Sequence, residues 1–176
     1  MSIAIDYTKW KEEIIDGKIY YMAPPTGRHN GVLGNLYLQF ATYLKGKKCK
    51  AWLEIEVSLN EDKPNDYVVP DLSIICNNTI GNFKIFKGIP DLIVEVMSTN
   101  RQTDKIDKFN LYQQTGVKEY WLVDPVSNTI DQYVLENNAY KLTNVFEADF
   151  ESELVQTIKP TIFDNLEIEI NEIFEY

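Results

Sequence analysis

Residues 90–98 read PDLIVEVMS, and this stretch decides the fold class of the chain. From residue 92 to residue 97 every side chain except Glu95 is apolar, so neither face of the predicted strand is polar. Such strands are typical of the buried centre of a sheet that is covered by helices. Residues 68–76, VVPDLSIIC, show the same pattern around Asp71. The sequence therefore predicts two central strands, each carrying one carboxylate.

Helices and further strands are predicted on both sides of these segments. Apolar residues recur at helical spacing over residues 30–44, which predicts a helix that packs on a sheet. A second helix is predicted over residues 104–114, ended by Gly116. Strands are predicted over residues 18–22, 51–59, 120–123 and 129–135, more weakly near Tyr140, and at an edge over residues 166–170. Since no repeat or linker divides the chain, we expect residues 1–176 to form a single α/β domain.

The net charge of the chain argues against a protein that binds nucleic acid through many contacts with the phosphate backbone. There are 17 Lys and Arg against 27 Asp and Glu, which gives a net charge of −10. Proteins that bind nucleic acid through its phosphates usually present a basic surface. A metal site, however, needs carboxylates of its own, and a local basic strip or a dimer cleft can exist on an acidic protein. The charge therefore weighs against a nucleic-acid partner but is compatible with one.

Two further features bear on the compartment of the protein. No stretch is apolar enough to span a bilayer, and the acidic N-terminus differs from a secretion signal. We therefore expect a cytoplasmic protein with no membrane partner. Cys49 and Cys76 have neither CxxC spacing nor a histidine-rich partner segment, so the sequence suggests neither a zinc site nor a disulfide. Both are expected to be ordinary thiols.

The lone acids of the two central strands are the strongest functional signal. A buried carboxylate without a partner is costly, so Asp71 and Glu95 each need a cation, a proton or a strong donor. A shared divalent ion would satisfy both, because consecutive strands are usually neighbours in space. The alternative for either residue is a position at a strand end, half exposed to water.

Lys108 is the candidate cation close to these acids. It lies four residues after Asp104 and four before Tyr112, so the three side chains share one face of the predicted helix. An exposed Asp–Lys ion pair would explain the first two. The helix begins within ten residues of Glu95, so Lys108 could instead reach a phosphate or an attacking water at the end of that strand.

Two other residues have ordinary explanations when the residues alone are considered. His29, the only histidine, stands at the start of the first predicted helix, where a local hydrogen bond would account for it. Glu13 stands just before a predicted turn at Asp16 and Gly17, where it is most simply a solvated helix residue.

Several short strings occur together along the chain. They are EIIDG at residues 13–17, MAPP at 22–25 followed by His29, VPDL at 69–72, PDLIVEVMS at 90–98, Asp104 with Lys108 and Tyr112, and GVKEYWLVDP at 116–125. In order and approximate spacing these strings resemble the Uma2 family of endonucleases, which is placed in the PD-(D/E)XK nuclease superfamily. The resemblance covers residues 12–135 or so, most of the chain.

The resemblance implies a restriction-endonuclease-like fold, in which helices flank a mixed central sheet, with strands added at both termini. It also implies that Asp71 and Glu95 are the acids that hold a divalent ion. The usual lysine of the superfamily lies two residues after the second acid, where this chain has Met97. Members of the family carry the lysine on the following helix, so the matching residue is Lys108, with Lys105 as the alternative.

The function implied by the resemblance is that of a metal-dependent endonuclease. As a hypothesis, Asp71, Glu95 and the backbone carbonyl of Val96 bind Mg²⁺ or Mn²⁺, and a phosphodiester bond in DNA is hydrolysed. Glu13 and His29 match family positions near this site, and a homodimer is expected. Two alternatives are a catalytically inactive homodimeric binding or regulatory module and a metal-dependent hydrolase of a small phosphorylated substrate.

Overall fold

The computed structural model describes residues 11–76, 83–98 and 103–175, without the side chains of residues 103–105. Within these residues the strands are β1 (Lys11–Ile15), β2 (Lys18–Met22), β3 (Lys50–Leu53), β4 (Glu56–Ser58), β5 (Leu72–Ile75), β6 (Ile85–Lys87), β7 (Leu92–Val96), β8 (Glu119–Asp124), β9 (Thr129–Glu136), β10 (Ala139–Glu147), β11 (Thr157–Ile158) and β12 (Ile168–Glu169). The helices are α1 (Gly27–Leu44), a π-helical segment (Thr103–Lys108), α2 (Phe109–Thr115) and α3 (Ile170–Phe174).

A six-stranded sheet forms the centre of the described structure, in the order β10-β9-β8-β7-β5-β3. Only β7 and β8 pair in parallel, whereas the other neighbours are antiparallel. The sheet is therefore mixed, and the predicted α/β class is confirmed. The two strands predicted to be central, β5 and β7, are neighbours, and Leu72 pairs with Val94.

Each face of this sheet is covered by a different set of elements. On one face, α1 packs with α3 over a core that contains Leu36, Phe40 and Trp121. On the other face, side chains of the β1–β2 hairpin and of α2 pack over a second core, which contains Ile93 and Tyr112. The hairpin turns at Asp16 and Gly17, both of which have positive φ, as a tight two-residue turn requires.

The prediction of one continuous strand over residues 51–59 is wrong, because the strand is interrupted at Glu54. Glu54 has a φ of 48°, a left-handed conformation that interrupts an extended strand. Before the break, β3 pairs with β5 in the central sheet. After it, β4 pairs in parallel with β6 in a separate sheet. The predicted common face is accordingly absent: Leu53 is 39% exposed while Val57 is fully buried.

Two other predicted elements differ in extent from the observed ones. The strand predicted over residues 68–76 begins only at Leu72, since Pro70 has no N–H to donate and Val68 forms only an isolated bridge with Val57. The helix predicted over residues 104–114 is π-helical in its first part and α-helical from Phe109. It ends at Gly116, as predicted, with a φ of 90°.

The expectation of two free thiols is also wrong, because Cys49 and Cys76 form a disulfide. Lys50, the first residue of β3, pairs with Ile75, the last residue of β5. This register places Cys49, just before β3, opposite Cys76, just after β5. The separation of 27 positions between the cysteines in the sequence gives no sign of this pairing. In the described part of the chain, no helix combines the length and the apolar character needed to cross a membrane.

Candidate active site

A cleft of about 230 Å³ opens between the β1–β2 hairpin and the carboxyl end of β7. It brings together the five side chains that the sequence analysis selected as catalytic candidates, which are Glu13, His29, Asp71, Glu95 and Lys108. These residues come from five separate segments of the chain, so only the fold places them side by side.

Glu95 lies at the bottom of the cleft with only 2% of its surface exposed. It belongs to β7, one residue before the end of the strand, and is therefore flanked by apolar core residues. Its Oε1 accepts hydrogen bonds from Lys108 Nζ at 3.1 Å and from the Tyr112 hydroxyl at 2.6 Å. This buried carboxylate is thus paired with a cation and with a neutral donor.

Lys108, the last residue of the π-helical segment, is buried between two acids. Its Nζ lies 2.9 Å from Glu13 Oε1 and 3.1 Å from Glu95 Oε1. A solvated surface pair with Asp104 therefore does not describe this lysine, which is only 2% exposed. The side chains of Asp104 and Lys105 lie outside the described part of the structure.

Glu13 is not the solvated helix residue suggested by its sequence context. It lies in β1 and is 1% exposed. Its Oε1 accepts from the backbone N–H of Val69 at 2.7 Å, in addition to its contact with Lys108. Glu13 therefore ties the hairpin to the segment that leads into β5 and helps to hold the lysine in the cleft.

Asp71 occupies the residue before β5, so it lies at a strand end and is partly exposed. Its Oδ2 accepts from the backbone N–H of Val96 at 2.7 Å, which fixes the carboxylate against the end of β7. A strand residue directs its N–H and C=O to the same side. The carbonyl of Val96 therefore also faces the side of the strand on which Asp71 lies.

His29 lies beside Asp71, with its Nε2 3.4 Å from Asp71 Oδ1. It belongs to the first turn of α1, which begins earlier than predicted, at Gly27. Its backbone N–H donates to the side chain of Thr26, the N-cap residue, at 3.2 Å. The helix start therefore positions the imidazole, which is 6% exposed, at the side of the cleft.

Burial raises the pKa of Tyr112 well above its usual value, and the negative charges of Glu95 and Glu13 raise it further. The hydroxyl consequently stays protonated and donates to Glu95. Tyr112 and Lys108 share one face of the predicted helix, and both side chains do reach the same carboxylate oxygen.

Oxygen atoms are the groups that could hold a metal in this cleft. The carboxylates of Asp71 and Glu95 and the carbonyl of Val96 are hard donors of the kind preferred by Mg²⁺ and Mn²⁺. Across residues 11–76, 83–98 and 103–175, no cluster of three or more His, Cys, Asp or Glu side chains has the geometry of a metal cage. An ion bound here would therefore draw part of its coordination from the backbone, water or substrate.

Several residues at the cleft were not selected from the sequence. Tyr20 of β2 lines it, and at its edge Lys11 Nζ lies 2.5 Å from Glu54 Oε1. The tight turn at Asp16 and Gly17 was the available signal, because it predicts a hairpin in which residues 13 and 20 lie opposite each other. The position of Glu54 could not be predicted from the neighbouring sequence, since its backbone conformation depends on the change from the central sheet, which contains β3, to the separate sheet that contains β4.

The chain is similar to proteins of known sequence and structure. The model of Uma2, a family described as "Putative restriction endonuclease", matches residues 2–168. An uncharacterized protein of Synechocystis sp., slr1290, is 29% identical over 136 residues, which cover 73% of this chain and 71% of that protein. The crystal structure of "a putative nuclease belonging to DUF820" from Anabaena variabilis aligns with a TM-score of 0.76 at 23% identity, covering 97% of this chain and 93% of that chain.

These similarities agree with the folding pattern and extend the resemblance found in the sequence. The structural likeness spans the mixed sheet and its flanking elements and shows the fold. The family match is longer at both ends than the 12–135 predicted from sequence strings. Since it includes nearly the whole chain, the protein belongs to the Uma2 family of restriction-endonuclease-like proteins.

Proposed function

We propose that this protein is a metal-dependent endonuclease that hydrolyses phosphodiester bonds in DNA. The observation that carries the proposal is the position of Lys108, a buried lysine held between Glu13 and Glu95 in a cleft that also contains Asp71. Burial of a charged lysine is costly unless the lysine is tightly paired with carboxylates. Buried, closely paired charges of this kind concentrate at functional sites. Membership of the Uma2 family supports the same function.

The proposed metal ligands are Asp71, Glu95 and the backbone carbonyl of Val96. A bound Mg²⁺ or Mn²⁺ would polarise the scissile phosphate and lower the pKa of a water molecule. The hydrogen bond from the Val96 N–H orients Asp71, and the contacts with Lys108 and Tyr112 orient Glu95. The protein therefore fixes both carboxylates before any substrate arrives.

Lys108 is proposed to orient the attacking water and to neutralise negative charge that develops on the phosphate. Glu13 is proposed as a positioning residue, because its Oε1 holds Lys108 Nζ and accepts from the Val69 N–H. His29, beside Asp71, is placed to approach a phosphate oxygen. Met97 occupies the position of the usual superfamily lysine, so the helix-borne lysine takes over that role in this proposal.

A second candidate function is a catalytically inactive homodimeric binding or regulatory module that keeps the nuclease fold. The net charge of −10 favours this candidate, since it disfavours binding to a polyanion. It also fits the fact that Asp71 and Glu95 already accept hydrogen bonds from groups of the protein itself. Assembly as a homodimer stays a prediction under either candidate.

Incubation with DNA tests the nuclease proposal directly. Supercoiled plasmid and single-stranded DNA are incubated with the protein in Mg²⁺, Mn²⁺ or EDTA, beside the Glu95→Gln variant. We expect cleavage that requires metal and is lost in the variant. Cleavage that persists in the variant would refute the assigned site, and no cleavage with either metal would favour the binding module.

Thermal unfolding separates the two candidates without any substrate. A metal that binds only the folded protein raises its melting temperature. We expect Mn²⁺ to raise the Tm of the unmodified protein and not that of Asp71→Ala. An unchanged Tm at millimolar metal would argue for the inactive module.

A further inference from the structure

The lining of the cleft includes an apolar surface beside its charged residues. This apolar wall consists of residues of β2 and of the loop that leads to α1, namely Tyr20, Tyr21, Met22, Ala23, Pro24 and Pro25. No role in metal binding or in hydrolysis is assigned to this surface. The cleft therefore has room for a second kind of contact with a ligand.

The hairpin register directs the key members of this wall into the cleft. Tyr20 lies opposite Glu13, and Met22 lies opposite Lys11. Directly opposed residues of an antiparallel pair place their side chains on the same face. Because Glu13 reaches Lys108 at the bottom of the cleft, Tyr20 lies on the inward face beside it. Its ring is half-buried and packs against the second core, so its position is fixed.

The charges of the cleft give little affinity for a phosphate backbone. Its lining contains four carboxylates, those of Glu13, Glu54, Asp71 and Glu95, against two lysines and one histidine. Both lysines are engaged by carboxylates: Lys108 by Glu13 and Glu95, and Lys11 by Glu54. A nucleic acid bound here needs affinity from contacts other than ion pairs, and the whole chain carries a net charge of −10.

We propose that the apolar wall centred on Tyr20 binds one unpaired nucleobase by stacking, so that the substrate is a single-stranded or locally unpaired segment. This inference rests on the proposed function, which places the adjoining phosphate at Asp71 and Glu95. A volume of about 230 Å³ accommodates one base-sized group. A base inside a duplex has both faces covered by its neighbours and must leave the stack before it can contact this wall. An aromatic ring fixed beside the site binds any base, since every base has a flat face.

Binding in EDTA tests this proposal independently of catalysis. A fluorescently labelled thymidine strand of about twelve nucleotides is compared by anisotropy with an abasic strand of equal length and with a duplex. We expect the strand with bases to bind about 5- to 150-fold more tightly than the other two ligands. Equal affinity for the abasic strand, or tighter binding of the duplex, would overturn the proposal.

Substitution of Tyr20 localises the effect. Tyr20→Phe keeps the ring and is expected to retain the affinity, whereas Tyr20→Leu keeps apolar bulk without the ring and is expected to weaken binding about tenfold. Tyr37→Leu is the matched control, because Tyr37 is an exposed tyrosine of α1 outside the cleft. An unchanged affinity in folded Tyr20→Leu would place the base elsewhere. Base-dependent binding without cleavage in Mg²⁺ or Mn²⁺ would refute the proposed nuclease activity and support the base-binding site. Metal-dependent cleavage without base-dependent binding would support the nuclease activity and refute the base-binding site.

Discussion

Glu95 and Glu119 are buried carboxylates on neighbouring strands, yet their surroundings differ. Glu95 lies near the carboxyl end of β7, and Glu119 is the first residue of β8. They are 2% and 0% exposed, respectively. Side chains two positions apart in a strand lie on the same face of the sheet. Ile93, two residues before Glu95, packs in the core beneath the cleft, and Trp121, two residues after Glu119, packs in the core beneath α1, so the two acids lie on opposite faces of the sheet.

The two acids differ most in the groups that balance their charge. Glu119 Oε1 accepts from Trp121 Nε1 and Gln132 Nε2, both at 2.7 Å, and its Oε2 accepts from the N–H and the hydroxyl of Thr161 at 2.7 and 2.6 Å. All four donors are uncharged. Glu95 instead faces Lys108 and lines a cleft. The four neutral donors make Glu119 a structural link between the sheet and the C-terminal segment, whereas Glu95 lines the cleft.

The largest effect is expected for Glu119→Gln. Whichever way the amide turns, its nitrogen would face a pair of buried donors, either those of Trp121 and Gln132 or the two of Thr161. Each buried donor that loses its acceptor costs about 1–3 kcal/mol, so the free energy of unfolding should fall by about 3–5 kcal/mol. Urea unfolding measures this change. DNA cleavage per folded molecule should stay unchanged, because Glu119 lies on the face of the sheet opposite the cleft. A loss of 1 kcal/mol or less would contradict the structural role.

The next largest effect is expected for Lys108→Met, which keeps the length of the side chain and removes its charge. The rate of metal-dependent cleavage should fall on the order of 10²–10³-fold, as for loss of one donor that stabilises developing charge. Lys118→Met is the matched control, since Lys118 is exposed and pairs with Asp91 at 2.7 Å outside the cleft. Equal rates in the two variants, both shown to be folded by circular dichroism, would remove Lys108 from the catalytic group.

A smaller effect on stability distinguishes the two acids at high pH. The donors of Glu95 include the Tyr112 hydroxyl, which can lose its proton at high pH, whereas the donors of Glu119 keep their protons there. Tyr112 keeps its proton in the folded protein above pH 10, where the unfolded chain ionises. Its stabilising contribution is complete below about pH 10 and is lost as the pH rises toward the folded-state pKa. The free energy of unfolding should therefore decline less steeply in Tyr112→Phe, by up to about 1.4 kcal/mol per pH unit.

Urea unfolding of both proteins between about pH 9 and 11 measures this difference. Tyr67, Tyr133 and Tyr140, whose pKa values burial also raises, are present in both proteins and contribute equally. Parallel curves would show that Tyr112 ionises in the folded protein as readily as in the unfolded chain.

The sequence predicted the parts of the site that depend on local pattern. Asp71 and Glu95 stood out because each interrupts an apolar run, and the strands that carry them are neighbours, as expected. The same reasoning applies to Glu119, which directly precedes the apolar residues 120–123, but a polar residue at the start of a strand is unremarkable. Its burial depends on Thr161, which lies 42 residues away.

Other features could not be predicted because they depend on contacts distant in sequence. The disulfide between Cys49 and Cys76 follows from the register of β3 and β5, which neither spacing nor composition reveals. Glu13 looked solvated because its partners, Val69 and Lys108, lie far along the chain. For Glu13 a local signal did exist, since the Asp16-Gly17 dipeptide directly before the strand predicted over residues 18–22 favours a two-residue hairpin turn, and therefore a strand at this position.

The smallest effect is expected for Glu167→Gln, which applies the change made at Glu119 to an exposed carboxylate. Glu167 Oε1 pairs with Lys159 Nζ at 2.6 Å, and its side chain is 56% exposed. Solvent screens this pair and takes over its hydrogen bonds when it is broken, so urea unfolding should show a loss of about 0–1 kcal/mol. Both acids contact the same C-terminal segment, Glu119 through Thr161 and Glu167 through Lys159. A loss at Glu167 as large as that at Glu119 would mean that tethering of this segment, and not burial of the carboxylate, determines the stability.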